Sequence, residues 1–350
     1  MLYFSKLKLG IIYFIIIFLT ITSFSNFAKN NDNFLLAKKI NLGLDLQGGS
    51  YLLLEVDSKP VINQKIQNKL ITLRNVLKEK KIKYKNLKIA NRTINLNLSS
   101  EDIKKFEEFF NNKDNSINNY YNRYNAYEME YFINDNLVSI SFSKFGLIEI
   151  KSSALDHSLE IVRRRIDEVG TKEPTIIRRG NDRILIELPG LDDPNRIKNL
   201  LGKTANLTFR LVSESEGDFG SETLFFEDGV TKLKINKRIV LSGDNLINAR
   251  PSMDNQTNET IVSFSLDRVG SKKFGKITTS NVGKKLAIIL DNKIISAPQI
   301  REPILSGAGQ ISGDFTFQSA TDLALLLRSG ALPAPLNVIE ERSVGPDLGE

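Results

Sequence analysis

The chain of 350 residues contains no cysteine, no tryptophan and a single histidine. Without cysteine there is no disulfide framework, no thiolate nucleophile, no iron–sulfur cluster and no cysteine-based zinc site. With one histidine, no metal site can use a pair of imidazoles, and a Ser-His-Asp triad would have to use His157. These absences exclude most familiar catalytic and metal centres.

Charge and composition exclude further classes of protein. Lys and Arg number 48 against 41 Asp and Glu, a net charge of +7, and hydrophobic residues make up 41% of the chain. These proportions are typical of a globular protein rather than a disordered or multi-span membrane protein. The basic residues are scattered and do not form a stripe interleaved with aromatics, so no nucleic-acid partner is predicted.

One long apolar run lies near the amino terminus. Residues 9–22 read LGIIYFIIIFLTIT, and the run extends to Phe27. A membrane-spanning helix needs about 20 apolar residues. A cleaved signal peptide is one interpretation, since small residues at 23–25 fit a cleavage site loosely; an uncleaved anchor over 1–27 fits the length and the bulky end better. With a short basic tail in the cytoplasm, the rest of the chain is expected to face outward.

The soluble part begins with a recognisable order of elements. The predicted order is strand, helix, strand, strand, helix and strand, at 50–56, 153–169, 175–179, 183–188, 194–201 and 206–212. This order is that of a split β-α-β, or ferredoxin-like, unit. The helix is predicted from apolar residues spaced by three and four between Leu155 and Val169.

The predicted fold class is therefore α+β, with a ferredoxin-like base, inserted α+β modules and one preceding transmembrane helix. Residues 58–150 read as an inserted module of helix, hairpin, helix and hairpin, and a later helix and strand are expected to return to the base. The predicted divisions are an anchor (1–27), a linker (28–40), a base (41–57, 151–215 and 317–342), an inserted α+β module (58–150), an inserted head (236–316) and a terminal segment (343–350).

None of the reactive residues forms a catalytic constellation. His157 lies about 200° around its helix from the apolar stripe, which predicts an exposed position. The three consecutive arginines at 163–165 point in different directions, so a solvated face is expected. The segment 202–204 (GKT) lacks the earlier glycine of a phosphate-binding loop. The protein is predicted not to be an enzyme, with no catalytic, cofactor or metal residues.

Several short motifs occur in a fixed order along the chain. They include Gly43-Leu44-Asp45-Leu46-Gln47-Gly48-Gly49 after the apolar run, Glu187-Leu188-Pro189-Gly190, Arg328 with Gly330, and Gly345-Pro346 with Gly349. Together these motifs resemble the SecD family of the bacterial Sec protein-export machinery. The resemblance covers 43–57 and about 155–349. The segment 58–150 is similar only in position and general type.

The resemblance implies a role in the inner membrane with the bulk of this chain in the periplasm. SecD proteins act with a SecF subunit and the SecYEG channel, and promote late, proton-gradient-driven export of unfolded preprotein. The family carries further membrane helices, and 343–350 is expected to lead into the second of them. A membrane-anchored periplasmic enzyme and a ligand-binding sensor are the alternatives. The sequence does not assign preprotein-contacting residues, the role of 58–150, or a hinge between base and head, for which 213–236 and 313–319 are candidates.

Overall fold

A computed structural model describes residues 6–25, 48–171, 173–190, 194–214, 220–254 and 257–344. The helices are α1 (Lys6–Ser25), α2 (Lys59–Glu79), α3 (Ser100–Phe110), α4 (Lys144–Val169), α5 (Pro194–Gly202), α6 (Arg268–Ser280) and α7 (Phe317–Ser329), with a 3₁₀ turn at Gly243–Asn245. The strands are β1 (Gly49–Val56), β2 (Tyr84–Ala90), β3 (Thr93–Leu98), β4 (Tyr120–Tyr121), β5 (Ala126–Tyr127), β6 (Met129–Asn134), β7 (Leu137–Phe142), β8 (Thr175–Arg179), β9 (Arg183–Pro189), β10 (Leu207–Leu211), β11 (Ser221–Phe226), β12 (Lys232–Asn236), β13 (Leu241–Ser242), β14 (Leu246–Met253), β15 (Thr260–Leu266), β16 (Leu286–Leu290), β17 (Lys293–Ser296), β18 (Ala308–Ile311) and β19 (Leu336–Val344).

The amino-terminal helix α1 has 20 residues, and its side chains are exposed as far as they are described, to Ile21. Among the described residues, no helix combines the length and hydropathy needed to cross a membrane. The transmembrane anchor therefore stays a prediction. The predicted linker at 28–40 lies outside the described residues.

Four antiparallel strands form the base sheet, in the order β19-β1-β9-β8. Alternate residues of β1 and β9, such as Leu52, Leu54 and Ile186, are buried on one face. Helices α4 and α5 cover that face, with Val162 and Ile197 in the same core. At about 25 cal/mol per Å² of apolar surface, this burial is what holds helices and sheet together.

The predicted last strand of this unit is wrong. Leu207–Leu211 (β10) pairs with β16 and β13 in a different sheet, and β19 takes the place beside β1. The reason lies in the side chains, because Phe209 packs against Phe264 and Phe274 with ring centroids 5.6 and 5.9 Å apart.

The inserted module contains α2, α3 and a sheet in the order β2-β3-β7-β6. Its core joins Leu73 and Leu77 of α2, Phe106 of α3 and alternate residues of the strands. The predicted sequence of helix, hairpin, helix and hairpin is confirmed within residues 58–142.

The predicted start of the next helix, at residue 153, is wrong, since α4 already begins at Lys144. Helix α4 therefore passes from the module core, at Ile150, into the base core, at Leu155.

We call residues 207–329 the head. It contains a six-stranded sheet in the order β12-β11-β17-β16-β10-β13, a three-stranded sheet in the order β14-β15-β18, and helices α6 and α7. The predicted starting point at residue 236 is too late, since β10 to β12 already belong to these sheets. The expected return of 317–342 to the base is wrong for α7, because Ala320, Leu323 and Leu326 are buried in the head core. The base receives β19.

Candidate functional site

Two glycine-containing motifs meet at one end of the base sheet. Gly48 precedes β1 with φ of +69°, Gly49 begins it with φ of +143°, and Gly190 follows β9 with φ of +62°. The Gly190 N–H donates to the Gly48 carbonyl at 2.9 Å. A Cβ placed on Gly49 would lie 2.2 Å from the carbonyl oxygen of Leu188. Both the backbone conformation and the neighbouring strand therefore require glycine at position 49.

The antiparallel register aligns the two motifs residue by residue. Gly49 lies opposite Pro189, and Tyr51 lies opposite Glu187. Leu188 is fully buried in the base core, whereas Glu187 is half-buried. Ser50, which lies between Gly49 and Tyr51 in β1, is 1% exposed, and its hydroxyl has no hydrogen-bond partner among the described residues. The glycine pair thus brings the chain directly into a buried strand.

The chain enters and leaves the base at the same end of the sheet. Gly49 also pairs with Val344, close to the end of β19. The Arg342 guanidinium lies 5.8 Å from the centre of the Tyr51 ring, an attractive cation–π arrangement. Residues 43–47, and the later motif residues Gly345, Pro346 and Gly349, lie outside the described residues.

The third motif closes α7. Arg328 forms a two-pronged ion pair with Glu168 of α4, with nitrogen–oxygen distances of 2.6 and 3.2 Å. Its remaining arm donates to the carbonyl of Ala249 in β14 at 2.5 Å. Gly330 caps the helix with φ of +92°. This motif therefore lies where the head meets the helices of the base, away from the glycine pair.

Sequence reasoning missed a buried arginine at the same place. Arg165 of α4 is 1% exposed. Its guanidinium donates to four backbone carbonyls, those of Leu200 (2.7 Å), Lys203, Thr204 (3.3 Å) and Gly330 (3.1 Å). The expected solvated face is correct for its two exposed neighbours at 163 and 164 and wrong for Arg165.

Burial lowers the pKa of Arg165 to about 10, and the negative charge of nearby Asp291 partly opposes this shift. Asp291 itself accepts hydrogen bonds from the Ala205 and Asn206 amides at 3.0 and 2.8 Å. A signal was present in the sequence, since Arg165 lies three positions after Val162 and four before Val169, both members of the predicted apolar stripe. These spacings place the arginine on the packed face of α4.

The other reactive residues take no part in a site. His157 is exposed on α4, as predicted. Within the described ranges, no group of three or more Asp, Glu or His side chains is placed to hold a metal ion.

A surface groove in the head presents one exposed apolar side chain, that of Leu305. It has a volume of about 610 Å³ and lies between α6 and the loop at Leu305. Leu305 is 74% exposed, and the lysines at 272 and 276 lie along the groove. The floor is Gly275, where an added Cβ would lie 3.2 Å from Leu305. Leu305 therefore offers an exposed apolar contact in a groove whose other lining residues are polar, glycine or positively charged.

Comparison with known proteins identifies relatives along most of the chain. Three protein-family models match: the SecD/SecF GG motif at residues 34–60, the N-terminal part of the SecDF P1 domain at 155–214, and the SecDF P1 head subdomain at 221–334. The glycine pair lies in the first match, α5 and the later turns of α4 lie in the second, and the head from β11 onward lies in the third.

Whole-chain relatives carry the same description. The chain is 44% identical to protein translocase subunit SecD of Rickettsia bellii over 342 residues, which is 95% of this chain and 64% of that protein. It is 40% identical to the SecD subunit of Acetobacter pasteurianus, covering 89% of this chain and 60% of that protein. The chain thus spans less than two thirds of the length of these relatives.

The fold is similar to that of a solved SecDF structure. The crystal structure of SecDF in its super-membrane-facing form matches with a TM-score of 0.52 at 24% identity. The match covers 99% of this chain and 36% of that one. At this identity the likeness concerns the fold, and it places the mixed α+β arrangement among known structures.

Proposed function

Because the chain belongs to the SecD family of protein translocase subunits, we propose that it is an accessory subunit of the Sec machinery rather than an enzyme. In this proposal it captures unfolded preprotein on the outer side of the inner membrane and promotes its late export. The proposed partners are a SecF-type subunit, through which the proton gradient is used, and the SecYEG channel.

The observation that carries the proposal is the meeting of the glycine motifs beside the end of β19. Gly49 pairs with both Pro189 and Val344, so the chain enters and leaves the base at one point. If the apolar helix α1 is anchored in the inner membrane, this end of the base sheet is held close to the membrane. The proposed position of the base, head and inserted module is then periplasmic.

We infer that the base is ferredoxin-like. The strand order β19-β1-β9-β8, with α4 after β1 and α5 after β9, supports that topology. The proposed units are a base made of 48–57, 151–206 and 330–344, an inserted module at 58–150 and a head at 207–329. Residues 1–27 are the proposed anchor, and 345–350 would lead onward from the base.

The groove beside Leu305 is the proposed contact for emerging polypeptide. Unfolded chains expose apolar side chains and unpaired backbone, and an exposed apolar side chain in an open groove gives them a contact. Leu305 is 74% exposed, and the neighbouring groove is open along α6. The lysines at 272 and 276 would attract acidic segments without excluding neutral ones.

Leu305→Ser tests this contact. The variant should bind a fluorescein-labelled, unfolded preprotein at least about tenfold more weakly, because it loses an exposed apolar anchor. Fluorescence anisotropy measures the binding, with the same preprotein in its folded form as a reference that should not bind.

Phe132→Ser is the matched control, since Phe132 is 70% exposed but lies in the inserted module. It should bind like the unaltered chain. Equal weakening in both variants would contradict the groove as the contact. Equal binding of folded and unfolded preprotein would contradict the function itself.

A further inference from the structure

A groove lined by positive charges lies in the inserted module, between the last turns of α2 and the start of β2. It has a volume of about 590 Å³. Arg74, Lys78, Lys81 and Lys83 line it, and none of the described residues around it is an Asp or Glu. All four side chains are exposed, and none of them forms an ion pair within the described part of the chain. The groove therefore carries four positive charges that no carboxylate neutralises.

These charges come from a basic block in the sequence. Over the whole chain the basic residues are scattered, but residues 74–88 contain seven Lys and Arg and one acidic residue, Glu79. Glu79 lines a separate groove together with Lys80. The carbonyl end of α2 contributes about half a negative charge, which offsets only a small part of the four positive ones. The field in the groove is therefore positive.

Three of the four cations lie on one face of α2 and of the turn that follows it. Arg74, Lys78 and Lys81 are spaced by four and three residues, which aligns them along the helix. Like charges at this spacing repel and destabilise a helix, so the stability of α2 does not account for them. At a rise of about 1.5 Å per residue, this stripe is about 10 Å long.

The turn after α2 holds Lys81 in an uncommon conformation. Its φ is +57°, at a position after the helix where glycine is favoured. The Ile82 N–H donates to the Leu77 carbonyl at 2.9 Å, and both side chains are buried in the module core. The turn is therefore fixed, and Lys81 and Lys83 flank its buried residue at the groove. A lysine held where glycine fits better indicates a use for its charge.

The ligand that fits these features is an extended, acidic stretch of polypeptide. An extended chain rises about 3.3 Å per residue, so the stripe matches about three or four residues of such a ligand. Carboxylates on this stretch would neutralise the cations of the groove. Three of the four cations are lysines, which are flexible point charges and demand no fixed ligand geometry, as a variable sequence requires.

The position of the groove favours polypeptide over a membrane surface. Strand β1 runs away from the entrance at Gly49, and α2 begins three residues after its far end. Val61 of α2 packs against the base core, whereas Leu77, further along the helix, belongs to the module core. Helix α2 thus leads away from the base. If α1 is anchored in the membrane, the base separates the groove from that membrane.

We propose that this cationic groove binds acidic, extended segments of polypeptide, and that such binding is a function of the inserted module. The groove lies between the matched segments 34–60 and 155–214, in a part of the chain that the family matches do not describe. That the acidic segments belong to preprotein rests on the proposed function. In that setting the groove adds an electrostatic contact to the apolar one beside Leu305.

Lys81→Gln combined with Lys83→Gln tests the site. The probe is a short fluorescein-labelled peptide of alternating Glu and Ser, and anisotropy measures its binding to the full chain in phosphatidylcholine nanodiscs. The double variant should bind the peptide at least about tenfold more weakly, because half of the charge of the groove is lost. Added salt should weaken binding to the unaltered chain, because exposed charges are screened. Unchanged affinity in the double variant would overturn the site.

Lys65→Gln combined with Lys104→Gln is the matched control, since both lysines are exposed in the same module and lie outside the groove. It removes the same charge and should bind the peptide within about twofold of the unaltered chain, because charges beyond a Debye length are screened. Equal weakening in both double variants would contradict the groove and leave net charge as the cause. Equal binding of a peptide with Gln in place of Glu would contradict the acidic ligand.

Competition identifies the source of the negative charge. Neither inorganic phosphate at matched ionic strength nor added phosphatidylglycerol vesicles should displace the acidic peptide, and displacement by either would overturn a polypeptide as the occupant. The probe is not a preprotein, so the outcome is separate from that of the Leu305→Ser experiment. If the acidic peptide binds at the groove and unfolded preprotein does not bind the chain, the groove stands and the proposed function fails.

Discussion

At the scale of single residues, Gly49 shows how tightly one position can be determined. Its φ of +143° is rarely adopted by other residues, and its missing side chain leaves room for the Leu188 carbonyl. Gly180 differs, since it also has positive φ, at +69°, but has open space around it. Substituting each glycine therefore separates two losses of stability: strain from a positive φ, which both positions share, and a clash with the neighbouring strand, which only Gly49 has.

We predict that Gly49→Val lowers the free energy of opening of the base sheet by about 3 kcal/mol, the sum of backbone strain and a backbone clash. Amide exchange at β9, followed by mass spectrometry, should then be more than about 100-fold faster. Gly180→Ala should cost about 1 kcal/mol, from strain alone. Unchanged exchange in Gly49→Val would show that the entrance of β1 rearranges freely.

At the scale of elements, α4 joins two cores. Ser143 caps the helix by accepting a hydrogen bond from the Gly146 N–H at 3.0 Å, and Gly146 lies against the backbone of Glu128. The first turns of α4 thus belong to the inserted module. The later turns, from Leu155 onward, pack on the base sheet. One continuous helix therefore fixes the module relative to the base.

We predict that Ser153→Pro uncouples the two units. Ser153 is exposed and lies between the two packed stretches of α4, so the change removes a helix hydrogen bond without disturbing a core. A proline inside a helix costs about 3 kcal/mol. Calorimetry should show the module and base unfolding in separate transitions. Ser153→Ala should unfold as the unaltered chain does, and one shared transition in both variants would contradict the coupling.

At the scale of the whole molecule, the amino-terminal helix sets the proposed orientation. Its exposed apolar side chains have no contact with a protein core in the described part of the chain. A membrane would remove that surface from water, at about 25 cal/mol per Å².

We predict that protein extracted from membranes retains residues 1–27, and that His157→Cys reacts with an impermeant maleimide added outside the inner membrane. Mass spectrometry of the intact protein measures the first outcome, and the extent of labelling in spheroplasts measures the second. A mature chain that starts near residue 26 would show a cleaved signal peptide instead. Labelling only after lysis would contradict the orientation.

Local patterns in the sequence were enough to determine several parts of this protein. Apolar runs and turn residues predicted β1 and the β8–β9 hairpin, and the ordered motifs together indicated the family. These features depend on neighbours along the chain, since strand alternation and turn residues are read over a few positions. The pair Gly48-Gly49 at the start of a strand also indicates a geometric need for glycine, because glycine inside a strand is costly.

Tertiary structure alone decided which core each element joins. The apolar residues of β10 would suit either sheet, and the packing of Phe209 against Phe264 places the strand in the head. The same holds for α7 and for Arg165, whose partners Leu200 and Gly330 are 35 and 165 residues away in sequence. Periodicity reports that a face is buried, but not what buries it. The carbonyls that make burial of Arg165 possible come together only when the segment 200–204 and Gly330 lie side by side in the folded chain.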